Sequence, residues 1–587
     1  MNKKNTLVEI IFSSHFQILL FLCFIVGLFI YVKYPSTVYV YTVDTISKLL
    51  KHAYGTHGNI NKIDRGMHKL GVLVIFLSIG GVFFIKTWEW IFHLTDEVTT
   101  TSTIKDYNNV SIDKKDWIII VIFTVIAVIL GILPIKQSLW QDEIGVYETF
   151  MKSGVLYSIF PKSSMGSHPL MQIITKLFTD ITGVSELSLR FPSFLVSILS
   201  IPLFYILSLK LTGKKIIGIL SSFFLTINPI HIYYSFQMRG YSFLMFFSVI
   251  SLYLFIKLII KPTKRTAIWL SIINVLLLYT HLYALFFISA QCLTLISIVF
   301  YQYYLSEDTI ISNPVVPLYF LSFIWTLLIG FILYIPYIPV IGMIIFNTSV
   351  YEPHYTTFTS HIYNLLDALA FVISYSKFRV LTLIFILFST VIASVLTKKK
   401  TVLTFVNVFF VSYVFVYLIA PVGAQRYLCP IIPILLLSLS ISTYELYISA
   451  KIYFKSLGLI VVIVYSALSI AAFPDIYMPI QNYKGAVNFV TTVSRNQSNV
   501  VIVSNSLGKN EVRFYDKNIV PLNNVEELNK LLATHKNIYA IVTFEDFLKH
   551  SEFSNDRVTQ KEIEDKFKLI KTFSGECPVH VWYYSNQ

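Results

Sequence analysis

Apolar residues in this chain fall in long blocks rather than in a short repeat. A membrane helix needs about 20 mostly apolar residues, and about eleven blocks meet that measure. They lie at 117–136, 191–210, 215–232, 241–260, 266–282, 283–303, 317–341, 380–396, 402–420, 428–447 and 456–473. Two further blocks, 10–32 and 69–92, precede them. The first follows Lys3 and Lys4, but it is longer than a secretion-signal core and lacks a small-x-small cleavage site, so it reads as an uncleaved anchor.

Charge sits between the blocks. Lys114-Lys115, Lys210/Lys214/Lys215, Lys257/Lys261/Lys264/Arg265, Lys398–Lys400 and Lys451/Lys455 fall on alternate loops, which makes them cytoplasmic by the positive-inside rule. Loops 137–186, 231–240, 342–378 and 421–427, and the tail from Pro474, then face outward. The segment 33–68 fits less well, because the same register puts Lys33, Lys48, Lys51, Lys62 and Arg65 outside. Three domains follow: an N-terminal extension over 1–110, a membrane domain over 111–473 and a soluble domain over 474–587.

That last domain has a different pattern. Tyr483 to Val493 has helical apolar spacing, Val500–Val503 and Ile538–Val542 read as strands, and Glu526–Leu532 and Glu562–Lys568 as helices. A small α/β unit is expected, for packing or acceptor docking.

Composition agrees. Of 587 residues, 55% are hydrophobic and 13% charged, against about 25% charged in a soluble domain. The net charge of +14 lies in clusters at block ends, with no basic stripe interleaved with aromatics, so nucleic-acid binding is not expected. Cys23, Cys292, Cys429 and Cys577 form neither a disulfide framework nor a metal spacing.

Chemistry concentrates on the outer side. Ser138-Leu139-Trp140-Gln141-Asp142-Glu143 sets two adjacent acids just after an apolar block, where a shielded carboxylate can serve as a general base. Two acids in a solvated loop would look the same. His168, Arg190, Arg239, Tyr241, His281 and Arg426 map to the same face. Singly, each has an ordinary explanation: an interfacial arginine, a packed histidine, a belt tyrosine. Together they describe a basic, aromatic pocket facing the acid pair, suited to an anionic lipid headgroup.

These residues carry a resemblance. Trp140-Gln141-Asp142-Glu143, His168-Pro169, Leu189-Arg190-Phe191-Pro192-Ser193, Asn228-Pro229 with Tyr234-Ser235 and Arg239-Gly240-Tyr241, Thr280-His281 and Arg426-Tyr427 resemble, in order, motifs of the polytopic GT-C fold glycosyltransferases. The branch is that of protein O-mannosyltransferases and aminoarabinose transferases. The likeness runs over about residues 116–490. Leu170 stands where the family has a second proline, and Tyr483-Lys484 where its outer domain often opens with Trp-Arg.

The resemblance implies a polytopic α-helical GT-C membrane protein of about 11–13 helices with a small outer α/β domain. It implies an inverting transfer of one sugar from a polyprenyl-phosphate donor to a hydroxyl of a glycan, lipid or protein acceptor. Asp142 would be the base and Glu143 would orient it or the acceptor. Arg239 and Arg426 would steady the departing phosphate. His168, Arg190, Tyr241 and His281 would contact substrate. The chemistry requires no metal, although a divalent ion at Asp142, Glu143 or His168 is compatible with the family. Competing readings are a transporter or lipid flippase, a polymerase or ligase with a diphosphate donor, and a non-catalytic scaffold. No internal repeat supports the first.

Overall fold

A computed structural model describes residues 110–159, 168–304, 314–334, 337, 358–373, 379–396, 402–419, 425–449, 451–544 and 554–585. The apolar blocks at 10–32 and 69–92 lie outside the described residues.

Each of the other blocks coincides with a helix, because an unbroken apolar run satisfies its backbone only internally once water is excluded. In chain order these are α1 (Lys114–Ile132), α5 (Glu186–Thr212), the broken pair α6 (Lys215–Ile227) and α7 (Pro229–Ser235), α8 (Tyr241–Ile260) and α9 (Lys264–Thr280). Then follow α10 (Ala284–Tyr304), α11 (Val315–Tyr334), α13 (Arg379–Leu396), α14 (Val402–Ile419), α15 (Ile432–Ile448) with a 3₁₀ turn at Gln425–Ile431 before it, and α16 (Ile452–Ala471). By length and composition, seven described helices could cross a membrane, or eight counting α6 and α7 as one span bent by 59°. The bend falls at Asn228-Pro229: the ring cannot donate to the helix ladder, and the Asn228 side chain caps the new start by accepting from His231 N–H.

Shorter helices line one end of the bundle. The loop after α1 holds α2 (Gln141–Val146), α3 (Val155–Ile159) and α4 (Pro169–Thr182). Within the segment expected to be an outer loop lies a further helix, α12 (Phe358–Ile373), packed against the 3₁₀ turn. At the opposite end Lys215 bridges Asp113 and Asp116 at 2.6 and 2.8 Å, and Tyr205 donates to Asp116, tying α1 to α5 and α6.

α15 with its 3₁₀ turn, and after it α8, are the most buried of the long helices, while α1 leaves Trp117, Ile118, Val121 and Val125 exposed. In a bilayer that outward apolar face meets lipid tails. Ser251, Asn274 and Gln291 close a ring of hydrogen bonds across α8, α9 and α10 at 2.5, 2.9 and 2.7 Å, satisfying polar groups where no water reaches them.

After α17 (Phe473–Ile476) the chain leaves the bundle. The C-terminal domain, expected from the sequence to be soluble, contains α18 (Tyr483–Ser494), β1 (Val500–Ser504), α19 (Lys509–Tyr515), β2 (Val520–Pro521), α20 (Val525–Thr534), β3 (Asn537–Thr543), α21 (Ser554–Lys566), β4 (Lys568–Phe573) and β5 (Val579–Ser585). Sheet order is β2-β1-β3-β5-β4, parallel across β2, β1 and β3 and antiparallel beyond. One helix expectation needs correction: Lys568 opens β4 and ends no helix.

Candidate active site

The site forms where the loop after α1 folds back over the starts of α5 and α8. Glu143 sits in the first turn of α2 and is completely buried. One of its oxygens accepts the Trp140 N–H at 3.3 Å, the reach-back bond of a helix start. Arg190, one turn into α5, donates Nε to Glu143 Oε1 at 2.8 Å and Nη2 to Oε2 at 2.5 Å. Oε1 also accepts the Met238 N–H at 2.7 Å. Arg190 directs its remaining hydrogens at the carbonyls of Ile135, Gln137 and Ser138, at 3.1, 2.8 and 3.0 Å. Glu143 and Arg190 thus knot three segments together, and neither has capacity left for a ligand. Such a buried pair persists only because every charge is matched and every donor is used. The expected substrate contact by Arg190 does not fit this geometry.

Asp142, one residue before Glu143, points the other way. Its side chain keeps 34% exposure, and Arg239 Nη1 approaches its Oδ2 at 3.3 Å. Arg239 is held from behind: its carbonyl accepts Ser193 Oγ at 3.2 Å, and Ser193 follows Arg190 by three positions on α5. The guanidinium carbon lies 5.8 Å from the Trp140 ring and 5.9 Å from the Tyr241 ring.

Behind Arg239 lies an aromatic wall. The ring centroid of His168 stands 5.4 Å from that of Tyr241 and 4.8 Å from that of His281. His281 lies 5.5 Å from Tyr427, which stacks on Tyr283 at 3.9 Å. Arg426 is half-buried beside Tyr427 at 5.9 Å, within electrostatic reach of Asp142. Burial, and after it the Arg239 cation, hold the His168 imidazole well below its usual pKa. The ring is therefore neutral at pH 7 and adds no charge of its own. Gly240 is the residue that admits it: a Cβ there would stand 2.7 Å from His168 Nδ1.

Several buried polar atoms here lack a hydrogen-bond partner among the described residues. They are Trp140 Nε1, Tyr241 Oη and Arg426 Nε, while Arg239 Nη1 has only its long approach to Asp142. Orphaned donors beside two guanidinium groups cost stability unless an acceptor arrives. The arrangement calls for a multi-oxygen anion next to an accessible carboxylate. A cation fits poorly, because both Glu143 oxygens are taken and Asp142 already faces a guanidinium. Among the described residues no three His, Cys, Asp or Glu side chains converge as metal ligands.

The site thus brings together Asp142, Arg239, Tyr241, His168, His281 and Arg426, with Glu143 and Arg190 beneath. Two supports were not evident in the sequence. Gly240 lies inside a recognised motif, yet its contact with His168 is set by the fold. Asp367 on α12 accepts a hydrogen bond from Gln425, the neighbour of Arg426.

The fold is similar to the crystal structure of ArnT from Cupriavidus metallidurans in its apo state. The TM-score is 0.50 at 10% identity, covering 81% of this chain and 99% of that one. The chain has the GT-C glycosyltransferase fold. Two other GT-C enzymes are similar at lower scores. The Archaeoglobus fulgidus oligosaccharyltransferase gives 0.44 at 11% identity, covering 79% of this chain and 72% of that one. The arabinosyltransferase EmbB from Mycobacterium smegmatis gives 0.42 at 11%, covering 76% and 42%. By sequence, residues 167–306 match the family described as dolichyl-phosphate-mannose-protein mannosyltransferase. That segment includes His168, Arg190, Arg239, Tyr241 and His281, whereas Asp142, Glu143 and Arg426 lie outside it. No curated protein matches the chain by sequence.

Proposed function

We propose that this GT-C chain transfers a monosaccharide from a polyprenyl phosphate to an acceptor hydroxyl at the outer face of the membrane, inverting the anomeric carbon. One observation carries the reading: an accessible carboxylate, Asp142, meets the Arg239 guanidinium beside buried donors on Trp140, Tyr241 and Arg426 that lack hydrogen-bond partners. A sugar phosphate supplies the missing acceptors through its phosphate oxygens. The matched family's name, with its lipid-phosphate sugar donor, points the same way.

In this reading the acceptor oxygen attacks the anomeric carbon opposite the phosphate. The new carbon–oxygen bond forms as the sugar–phosphate bond breaks, and the electron pair leaves with the phosphate. The acceptor proton passes to Asp142. General-base action of this kind contributes about 10²–10⁴ in rate. Arg239 and Arg426 stabilise the charge growing on the departing oxygen, a contribution of similar size where the groups are fixed in advance. Tyr241, His168 and His281 form a neutral wall for donor and acceptor. Glu143 and Arg190 hold the frame and touch neither. The mechanism uses no metal.

The outward placement rests on the loop charges. Lys214 and Lys215 lie at the end of the bundle opposite Asp142, and basic loops face the cytoplasm. The acceptor is a glycan, lipid or protein hydroxyl.

The test is label transfer. Purified chain would be incubated with radiolabelled polyprenyl-phosphate sugars and a membrane extract. Movement of label from carrier to product, blocked by excess unlabelled polyprenyl phosphate, is expected. Absence of transfer across a broad donor panel, with no binding of polyprenyl phosphate, would contradict the proposal and favour a transporter.

A further inference from the structure

Asp142 owes its position to a loop whose polar groups are taken up from two directions. From below, Arg190 holds the carbonyls of Ile135, Gln137 and Ser138. From above, groups of the soluble domain and of the linker leading to it take most of what remains. Leu139 donates its N–H to Tyr515 Oη at 2.7 Å. Gln141, the residue before Asp142, donates its N–H to Gln481 Oε1 at 2.9 Å. Gln137 Nε2 donates to the Tyr477 carbonyl at 2.7 Å, and Ser138 Oγ accepts the Lys484 N–H at 3.2 Å.

These are not incidental touches between two surfaces. Leu139, Ile144 and Val146 share one buried cluster with Tyr483, Val487 and Val512, so loop and domain have a common apolar core. Tyr147 meets Phe514 edge-on at 5.7 Å. Within that dry contact, the two acceptors on Leu139 and Gln141 fix the backbone immediately before Asp142. Without them, two main-chain N–H groups in a water-poor interface would lose their partners, and the loop would relax to find others.

We propose that the soluble domain is part of the catalytic apparatus, with Tyr515 and Gln481 as positioning residues. They act through the Leu139–Gln141 backbone to set where the Asp142 carboxylate stands relative to Arg239. The inference rests on the reading of Asp142 as the base. It gives the domain a role in the chemical step itself, beyond packing or acceptor docking. A displacement of about 1 Å at a catalytic group can cost about 10²-fold in rate, so loss of one such bond is expected to lower kcat by tenfold or more. Donor KM should change less than kcat, because Arg239, Arg426 and Tyr241 are held by other segments and only Trp140 of the donor-facing groups rides on the loop.

The experiment uses the full chain in lipid nanodiscs. Tyr515→Phe removes only the phenolic oxygen, and Gln481→Leu removes the amide. Gln481→Glu keeps an acceptor oxygen for Gln141 and should restore most of the rate. Tyr539→Phe breaks a bond to Gln497 inside the domain, at 3.1 Å, without touching the loop, and should leave kcat unchanged. Amide hydrogen exchange gives a reading independent of turnover: Leu139 should exchange faster in Tyr515→Phe, and Gln141 faster in Gln481→Leu. Faster exchange with a lower kcat and a smaller change in donor KM is the expected result. Wild-type kcat in both variants would overturn the positioning role, whatever the exchange rates do. Two failures stay distinct. Transfer abolished by Asp142→Asn but intact in Tyr515→Phe removes only this inference. Transfer absent in wild type as well removes the glycosyl-transfer reading, and the positioning role with it.

Discussion

Arg190 and Glu143 meet in a two-point fork beneath the active-site loop, with Nε to Oε1 at 2.8 Å and Nη2 to Oε2 at 2.5 Å. Both side chains are buried, and the fork ties the start of α5 to the loop bearing Asp142 and to the Met238–Arg239 turn. The adjacent acids of the loop therefore divide their work. Glu143 builds the site and Asp142 faces its opening.

Removing one partner of a buried pair leaves an uncompensated charge, at a cost of about 3–5 kcal/mol. Arg190→Ala and Glu143→Ala should both unfold several degrees earlier or fail to accumulate, as measured by thermal-shift size-exclusion chromatography. Arg190→Lys should rescue poorly, because a single ammonium cannot supply five hydrogens in a planar fork. Asp142→Asn should keep wild-type stability, which separates the framing acid from the chemical one.

Arg239 and Arg426 approach the site from different segments; Arg426 Nε is buried without a hydrogen-bond partner, and Arg239 Nη1 has only its long approach to Asp142. Replacing either with Ala should raise donor KM and lower kcat together, with kcat/KM falling about 10²–10³-fold. Steady-state kinetics with a defined polyprenyl-phosphate sugar would check this. A fall confined to acceptor KM would contradict the role assigned to the arginines.

Gly240→Ala would place a methyl carbon 2.7 Å from His168 Nδ1, closer than ordinary contact permits. Overpacking of this kind costs about 1–3 kcal/mol, and relief requires His168 to turn toward the ligand space. Reduced activity with a modest loss of thermal stability is expected. Recovery of the lost thermal stability by adding His168→Ala in the same chain would trace the defect to that contact.

The soluble domain should show a pH signature. Burial pushes the Glu511 carboxyl up to about 7, so the folded chain keeps a proton that the unfolded chain releases near its ordinary value. Stability linked to this group is full below about pH 4.5 and is lost as pH rises toward 7. Glu511→Gln removes the buried charge. It should melt later than wild type at pH 8, and the gap should close at pH 5. An equal gap at both values would contradict the assignment.

Much of this was legible in the sequence, for identifiable reasons. Charges are scarce enough that Asp142 and Glu143 stand out, and long apolar runs have one backbone solution in a membrane. What escaped depends on distant contacts. Nothing local tells Glu143 from Asp142, since the difference is made by Arg190 and by the Met238 N–H. α12 was hidden because Ser360, His361, Asn364 and Asp367 keep its sequence from forming an unbroken apolar run. β4 was hidden because its exposed edge, Lys568-Leu569-Ile570-Lys571, lacks the alternation of a half-buried strand. The holds on Leu139 and Gln141 join residues more than three hundred positions apart, beyond the reach of any periodicity.

The most direct test compares wild type with Asp142→Asn in single-turnover transfer of a radiolabelled sugar from polyprenyl phosphate. Donor binding should be measured in parallel, because the arginines remain in both chains. Transfer slowed by about 10²–10⁴-fold, with donor affinity within a few-fold of wild type, is the expected result. Equal rates in the two chains would remove Asp142 from the chemistry and contradict the account.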